Sequence, residues 1–536
     1  MGLRLAPRYN AHRMQRTQLY ADPSGRFVHD LVLESSRRFS DKTALFDTSI
    51  NRRFTYADYG NAVETLARGF VSAGLVPGDT VAIFLPNSWE FCVTYHATTL
   101  AGGVPTLLNP SYRDREVHHQ LENSGARFLI TDGPLLEGAH LAGLSELRHV
   151  YTTRTPKAGA ANFAALFAST TAHVPAPANS PEQTLAALPY SSGTTGLPKG
   201  VMLSHSNLVS NIYQLLGPGA IPLSDADIML CFLPLYHIYG LNVALNPIFT
   251  LGATLVLMPR FNVPNLCDLI TKEGVTMVPL VPPAMNALCQ AAEAGVFPKT
   301  HRVRWVKSGA APLAPELPRR FTELTGIVVN QGYGMTEASP VTHVGNVTPP
   351  ELNRPSSIGQ PLAHTECRIV DEYGDDVSDG QPGELVMRGP QFMLGYWKAP
   401  EATSSVLRDG WYWSGDIVNR DAQNFYYVLD RRKEMIKYKG FPVAPAEIEA
   451  VLLEHPAVRD CGVVAKPDLA AGEIPCAFVV LRDANAACDT MGDTLRQFVA
   501  ERLTNYKQPR EVRFVDTVPR TASGKILRRE LRKTLT

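Results

Sequence analysis

Leu188–Val201 reads LPYSSGTTGLPKGV, and this stretch decides how the chain is read. Ser191, Ser192, Gly193, Thr194, Thr195, Gly196 and Gly200 each carry a hydroxyl or no side chain, and one cation, Lys199, stands among them. Glycines let a backbone close around an anion, and hydroxyls add donors. Such a loop suits a triphosphate. The spacing Gly193-x-x-Gly196-x-x-Lys199 is not the GxxxxGK[ST] order of a Walker A loop. A polar linker has no reason to carry the ordered run TTGLPKG between two apolar segments.

Working outward, short apolar runs alternate with longer segments of mixed pattern. Thr80–Leu85, Arg127–Thr131, Ile228–Leu233, Ala253–Leu257 and Val275–Leu280 read as strands. The rhythm predicts strand–helix units, an α/β fold and buried, largely parallel sheets. Leu185–Pro189 runs straight into the glycine-rich loop, and Ile327–Asn330 into a second polar block, QGYGMTE at Gln331–Glu337. Loops at the carboxyl ends of strands are where open α/β sheets bind ligands. Thr155–Asn179, rich in Ala, Thr and Pro, reads as a surface connection. After Asp430 the character changes: Pro445 opens a helix with Ile448, Val451 and Leu452 on one face. Strand candidates Gly462–Ala465, Ala477–Leu481 and Val512–Val515 follow, enough for a small second domain.

A length of 536 residues exceeds one ordinary domain, and 45% hydrophobic with 19% charged residues fits a globular chain. Basic and acidic residues balance at 51 each, and no basic–aromatic stripe appears, so a nucleic-acid partner is not expected. The eight cysteines form no C-x-x-C pair or metal spacing, which predicts reduced thiols in a cytoplasmic protein. Leu241–Met258 is the most apolar stretch, but Asn246, Pro247 and Gly252 interrupt it; it reads as packed interior, and no integral membrane segment is expected. The arginine-rich start, MGLRLAPRYNAHRMQR, reads as a surface extension, with organelle targeting as the alternative. The basic tail Arg528–Lys533 reads as a solvated helix face.

Four further blocks follow in order: LPLYHIYG at Leu233–Gly240, WSGDI at Trp413–Ile417, DRRKEMIKYKGFPVAP at Asp430–Pro445 and PRTASGKIL at Pro519–Leu527. Together with the two already quoted, they resemble the adenylate-forming superfamily of acyl-CoA synthetases, luciferases and peptide-synthetase adenylation domains. YHIYG and KYKGFPVAPAEIE are most similar to 4-coumarate:CoA ligases and their bacterial relatives. The resemblance implies a large N-terminal adenylation domain of layered sheets with helices over residues 1–429. A hinge at 430–432 and a small mobile C-terminal α+β domain over 433–536 would follow it.

It also implies ATP, Mg²⁺ and coenzyme A. Ser191, Ser192, Gly193, Thr194, Thr195 and Lys199 would handle the β- and γ-phosphates, Thr194 also standing near the metal. Gly309, Ala310, Ala311 and Pro312 of KSGAAPL would lie on the adenine side. Gln331 and Gly332 would adjoin the nucleotide, Tyr333 would flank adenine, and Thr336 would donate to phosphate. Glu337 would bind Mg²⁺, a hard cation suited to carboxylate oxygen. Asp416 would accept from both ribose hydroxyls, and Arg431 would contact the nucleotide. Lys525 would bridge the substrate carboxylate and the α-phosphate as a compact point charge. Lys437 and Gly440 would reach the site only in the thiolation state. Many relatives read DRLK at the hinge, whereas this chain has Arg432, which leaves the packing there open.

His237 is expected between the carboxylate and the acyl pocket, with Tyr239, Lys307, Ala310, Gly332, Pro340 and Val341 as lining. That lining suits an aromatic or aliphatic acid. LPLYHIYG holds no acidic residue to pair with an ammonium, which argues against an α-amino acid. The expected reaction is activation of the acid as acyl-AMP and transfer to coenzyme A, releasing AMP and pyrophosphate. The alternative acceptor is the phosphopantetheine arm of an acyl carrier protein. A non-catalytic adenylate-binding protein would be expected to have lost Lys525, Glu337, Asp416 or Thr194; all are present. Sequence leaves the acid and the choice of monomer or homodimer open.

Overall fold

The computed structural model describes residues 23–168, 172–191, 198–218, 220–311, 313, 315–345, 353–439, 441–521 and 524–535. Gly193, Thr194 and Thr195 with Ser192, the residues Pro312 and Gly440, and the arginine-rich start lie outside them.

Four sheets form the body, and two of them are built mainly of parallel strands. The larger has nine strands, and its middle six, Thr43–Asp47, Thr254–Leu257, Ile228–Cys231, Met277–Leu280, Trp305–Ser308 and Val328–Gly334, are parallel neighbours in that order. Antiparallel strands close both edges. The second sheet, of five strands, is parallel throughout and centres on Thr80–Phe84 and Ala126–Thr131. These strands read as apolar runs because both faces are covered. The helix Trp89–Leu100 shows the same logic: every residue from Glu90 to Thr99 is buried. It packs against the helices Val28–Arg38 and Tyr56–Ser72 and the strands Thr80–Phe84 and Val104–Leu107.

One cation ties the two sheets. Arg154, just past the strand His149–Thr152, bonds Asp47 Oδ2 at 3.1 Å and Glu90 Oε2 at 2.8 Å. Asp47 is fully buried at the end of a large-sheet strand. Arg154→Ala would leave two buried carboxylates unpaired, a loss we expect to cost about 3 kcal/mol. Urea denaturation of the variant checks this, and a loss below about 1 kcal/mol would contradict it.

From Ile436 onward the chain builds its own five-stranded sheet and its own apolar clusters. Its strands Val458–Asp468, Gly472–Leu481 and Glu511–Phe514 and its helix Pro445–Glu454 cover the predicted elements. Two expectations are corrected. Thr155–Asn179 is not merely a surface connection. It contains a short strand and the 3₁₀ turn Phe163–Phe167, whose Phe163 and Leu166 are buried, and a Cβ on Gly69 would lie 1.8 Å from Leu166 O. The basic tail is not wholly solvated. Arg528 bonds the buried Glu449 at 2.7 Å and lies 3.6 Å from Glu434, while Arg529 and Lys533 stay at the surface. Among the described residues all eight cysteines are free, and no helix is long and apolar enough to cross a membrane.

Candidate active site

The glycine-rich loop is carried by a hairpin. Tyr190–Ser191 pairs antiparallel with the start of Lys199–Ser204, so Lys199 stands opposite Ser191. The base of the hairpin is pinned, for Tyr190 Oη donates to Asn123 Oδ1 at 2.6 Å. Space is tight at Gly200, where a Cβ would lie 3.1 Å from Leu188 and 3.2 Å from Trp397.

Glu337 meets this hairpin from the far side of the cleft. Its Oε1 accepts from Ser191 Oγ at 3.0 Å and from Tyr396 Oη at 2.8 Å, while Lys199 Nζ lies 5.4 Å from the centre of the Tyr396 ring. The carboxylate is buried, and no ion pair reaches it among the described residues. A buried acceptor with one oxygen held by two hydroxyls and no ion pair among the described residues, the Arg431 guanidinium acting on it only from a distance, fits a divalent cation such as Mg²⁺. Glu337 and Thr336 sit on a one-turn 3₁₀ segment that follows the strand Val328–Gly334. The chain must turn back tightly there, and a Cβ on Gly334 would lie 2.0 Å from Pro340 O. Glycine is obligatory at that point.

Beside it, Tyr333 Oη donates to Asp416 Oδ2 and Arg431 Nε bonds Asp416 Oδ1 at 3.0 Å. Asp416 is 4% exposed, and these two partners occupy both its oxygens. Ribose hydroxyls would have to displace or share these partners. Gln331 likewise has its amide committed, donating to Pro355 O at 2.6 Å. Glu384 supports the group from behind. Its Oε1 takes Gly415 N–H at 3.0 Å and its Oε2 takes Arg432 at 2.6 Å. Arg432, the departure from DRLK, is therefore explained as the partner of a buried carboxylate.

Lys525 lies within electrostatic reach of this cluster, on the loop that precedes the helix Arg528–Lys533. It follows Gly524, whose φ is +85° and whose Cβ would lie 2.9 Å from Pro283 of the helix Pro282–Glu293. Burial, then the nearby Arg431 guanidinium, pushes the Lys525 ammonium down to about 8, against the pull of Asp416 and Glu434. Lys437 stands apart: it is exposed on the strand Ile436–Tyr438, and its backbone N–H donates to Glu473 at 2.7 Å.

The predicted acyl lining converges on one wall of the large sheet. Tyr239 Oη donates to Lys307 O at 3.1 Å, and a Cβ on Gly309 would lie 3.3 Å from the Tyr239 ring. A Cβ on Gly332 would lie 3.4 Å from Lys307 Cδ, so both glycines keep the space open. Ala310 is exposed toward the cleft with φ +71°, a conformation strained for any residue with a Cβ, and Ala311 follows it half-buried. Pro340 and Val341 are buried next to Gly334. His237 Nδ1 accepts the Tyr239 N–H at 3.2 Å, which leaves Nε2 as the N–H donor. Burial lowers this imidazole to about 4, so it is neutral. Lys307 is also buried, and burial lowers its ammonium to about 7. Its one bond among the described residues is to Gly345 O, at 3.4 Å.

Tyr396 and Glu384 escaped the sequence reading. Tyr396 lies on a two-residue strand with no periodicity, and Glu384 is identified only by partners 31 and 48 positions away.

Residues 32–397 match the AMP-binding enzyme family and residues 447–525 match the AMP-binding enzyme C-terminal domain. The chain is 39% identical to 4-coumarate–CoA ligase 5 of Oryza sativa subsp. japonica, over 95% of this chain and 94% of that one. It is 36% identical to 4-coumarate–CoA ligase of Pinus taeda, over 95% of each. Among solved structures it resembles ATP-bound MatB from Rhodopseudomonas palustris, with TM-score 0.85, 30% identity and coverage of 94% and 98%. It also resembles the anthranilate CoA ligase AuaEII in complex with anthranoyl-AMP, with TM-score 0.86, 26% identity and coverage of 96% and 98%. With both halves of the fold matched and the polar cluster set between them, the chain belongs to the AMP-binding enzymes, in their acid:CoA ligase branch.

Proposed function

We propose that the protein activates a phenylpropenoic acid bearing a ring hydroxyl, the kind of acid named in its plant relatives, and transfers it to coenzyme A. In the first half-reaction a carboxylate oxygen attacks the α-phosphorus of ATP and pyrophosphate leaves. In the second, the thiol sulfur attacks the acyl carbon and AMP leaves. The observation that carries this reading is that Lys525, on the loop before the helix Arg528–Lys533, lies within electrostatic reach of Arg431 and Asp416, which are themselves paired. Positioning and charge neutralisation are what such a phosphate-centred substitution needs.

Ser191 and Lys199, with Ser192, Gly193, Thr194 and Thr195, hold the leaving phosphates. Glu337 would hold Mg²⁺, whose charge would neutralise the phosphates. Asp416 and Tyr333 receive the nucleoside, and His237 presents its Nε2–H to the acid carboxylate. Asp430–Arg432 form the pivot: buried Asp430 accepts from Arg431 N at 2.7 Å and from Ala446 N at 2.9 Å, so it joins the pivot to the next helix. Rotation there would bring Lys437 and Gly440 to the site for thiolation. Eight free cysteines favour a reducing cytoplasm.

The ring hydroxyl is argued from Lys307. Asn330, opposite Lys307 on the neighbouring strand, donates to the same Gly345 O at 2.7 Å, and its Oδ1 is buried without a partner among the described residues. A phenol hydroxyl can accept from the lysine and donate to that oxygen. Lys307→Met should lower kcat/KM for 4-hydroxycinnamate by about 10- to 100-fold, the worth of a hydrogen bond to a charged group, and leave cinnamate nearly unchanged. Equal losses on both acids would remove Lys307 from ring recognition. The direct test is mass spectrometry of the purified enzyme with ATP, Mg²⁺, coenzyme A and a panel of cinnamic, benzoic and fatty acids. Acyl-CoA from the hydroxycinnamic members supports the reading. Acyl-AMP that accumulates without thioester would point instead to a carrier-protein acceptor.

A further inference from the structure

The two hydroxyls that grip Glu337 Oε1 come from separate segments, and one residue outside every motif block holds the chain beside each of them. Tyr190, which precedes Ser191, donates its Oη to Asn123 Oδ1 at 2.6 Å. Trp397, which follows Tyr396, donates its Nε1 to Asn123 O at 3.0 Å. Lys398 Nζ donates to the same carbonyl at 2.9 Å. Lys398 holds φ +53°, a left-handed backbone that a non-glycine residue keeps only when its surroundings impose it.

This convergence follows from where Asn123 stands. It lies in the last turn of the helix Asp114–Ser124, where backbone carbonyls have no partner within the helix. Gly125, at φ +67°, turns its N–H back onto Leu121 O and Glu122 O, so Asn123 O is left to accept from outside. An indole N–H and an ammonium supply the donors, and the ammonium also suits the negative end of the helix dipole. One turn earlier on the same helix, His119 Nε2 lies 3.3 Å from the carbonyl oxygen of Pro198, the residue before Lys199. A carbonyl only accepts, so this ring nitrogen carries the proton. The helix therefore holds both strands of the hairpin, one beside Ser191 and the other beside Lys199.

The two gripped segments also meet directly, since Trp397 N donates to Gly200 O at 2.8 Å and Val201 pairs with Tyr396. We infer that Asn123 is a positioning residue for the phosphate end of the site. It fixes how the Ser191 and Tyr396 hydroxyls stand to each other, and so where Glu337 presents its carboxylate to a divalent cation. The inference rests on the function proposed above. The nucleoside end has its own anchors, because Asp416 is held by Tyr333 and Arg431.

The test is calorimetric binding of two ligands to wild type and to Asn123→Ala, which removes the Tyr190 bond and keeps the carbonyl. Mg²⁺ with α,β-methylene-ATP, whose bridge adenylation cannot cleave, reads the phosphate end; AMP reads the nucleoside end. Asn123→Ala should weaken the Mg²⁺–analogue complex about tenfold, as expected for one hydrogen bond, and keep AMP within about twofold. In turnover, KM for MgATP should rise in step while KM for the acid stays within about twofold. Asn123→Asp, which keeps an acceptor for Tyr190, should recover most of the loss. Tyr190→Phe should reproduce the loss, also standing in if Asn123→Ala does not fold, and the double variant should be no weaker than either single one. Val117→Ala, on the same helix but in a separate apolar cluster, should lower thermal stability and leave the ratio of the two affinities unchanged. Equal weakening of both ligands, an unshifted ratio in folded Asn123→Ala, or as large a shift in Val117→Ala would overturn the inference. Wild type separates the two readings. If it makes acyl-AMP from no acid, the proposed function fails; if it turns over normally and the variants leave the ratio unshifted, only this inference fails.

Discussion

Lys525→Ala should lower acyl-AMP formation by about 10²- to 10³-fold, the usual loss when one preorganised charge is removed from a developing anion. Conversion of supplied acyl-AMP to acyl-CoA should stay within a few-fold of wild type. The asymmetry follows from position. In this arrangement Lys525 lies within electrostatic reach of Asp416 and Arg431, on a turn seated against Pro283, whereas Lys437 faces solvent. A change at Lys437 should therefore do the reverse, sparing adenylation and slowing thiolation. Single-turnover assays of each half-reaction provide the check; equal loss of both half-reactions in each variant would sink the division of labour and the pivot at Asp430–Arg432. A pH signature accompanies it. The Lys525 ammonium is held down to about 8, so it is cationic below that pH and loses its charge as pH rises through it. Adenylation by the free enzyme should fall along that limb, and Lys525→Ala should lack the limb.

What the sequence made legible was local. Val328–Gly334 and Ile228–Cys231 are apolar runs ending in polar blocks, and the strands and the loops after them stand where those patterns indicate. The blocks carrying Ser191, Lys199, Tyr333, Glu337, Asp416 and Lys525 come to one cleft. Illegible were the contacts that depend on distant partners. Asn211 reaches Val341 across 130 residues and Asn242 reaches Ser339 across 97, and neither has a neighbour in sequence that hints at it. Arg432 looked like a departure from a pattern because its partner, Glu384, lies 48 residues earlier on another strand. Arg528 looked solvated because a basic run usually is, yet helix Arg528–Lys533 turns it inward onto Glu449, 79 residues away. Composition and periodicity register burial only where the residue itself is apolar; a charge made buriable by its partner leaves no such trace.

The same blindness hides the largest expected effect on stability, an acid-induced collapse set by buried histidines. His29, His96, His205, His237 and His343 are all lowered chiefly by burial, His29 and His237 to about 4 and His96 and His343 to about 3. Geometry explains why protonation is costly. His205 Nδ1 accepts Val28 N–H at 3.1 Å, His237 Nδ1 accepts Tyr239 N–H, and His96 Nδ1 accepts from Tyr59, so a second ring proton would face a donor at each. His29 and His205 also sit edge to face at 5.5 Å, where charging one opposes charging the other. With folded values below the unfolded value near 6.5, the unfolded chain binds more protons between about pH 6.5 and 4, so stability falls as pH falls through that window. Each such histidine contributes at most about 1.4 kcal/mol per pH unit, and five together approach about 7, comparable with the whole stability of an ordinary domain. Asp430 and Glu449, raised by burial, act with the opposite sign, but they are two against five and both are opposed by Arg528. Urea denaturation at pH 8, 7 and 5 should therefore show a midpoint nearly constant between the first two and sharply lower at the third. A midpoint that holds steady to pH 5 would mean that the five rings are hydrated in solution, and that the close packing around His96 and His205 is looser than their hydrogen bonds require.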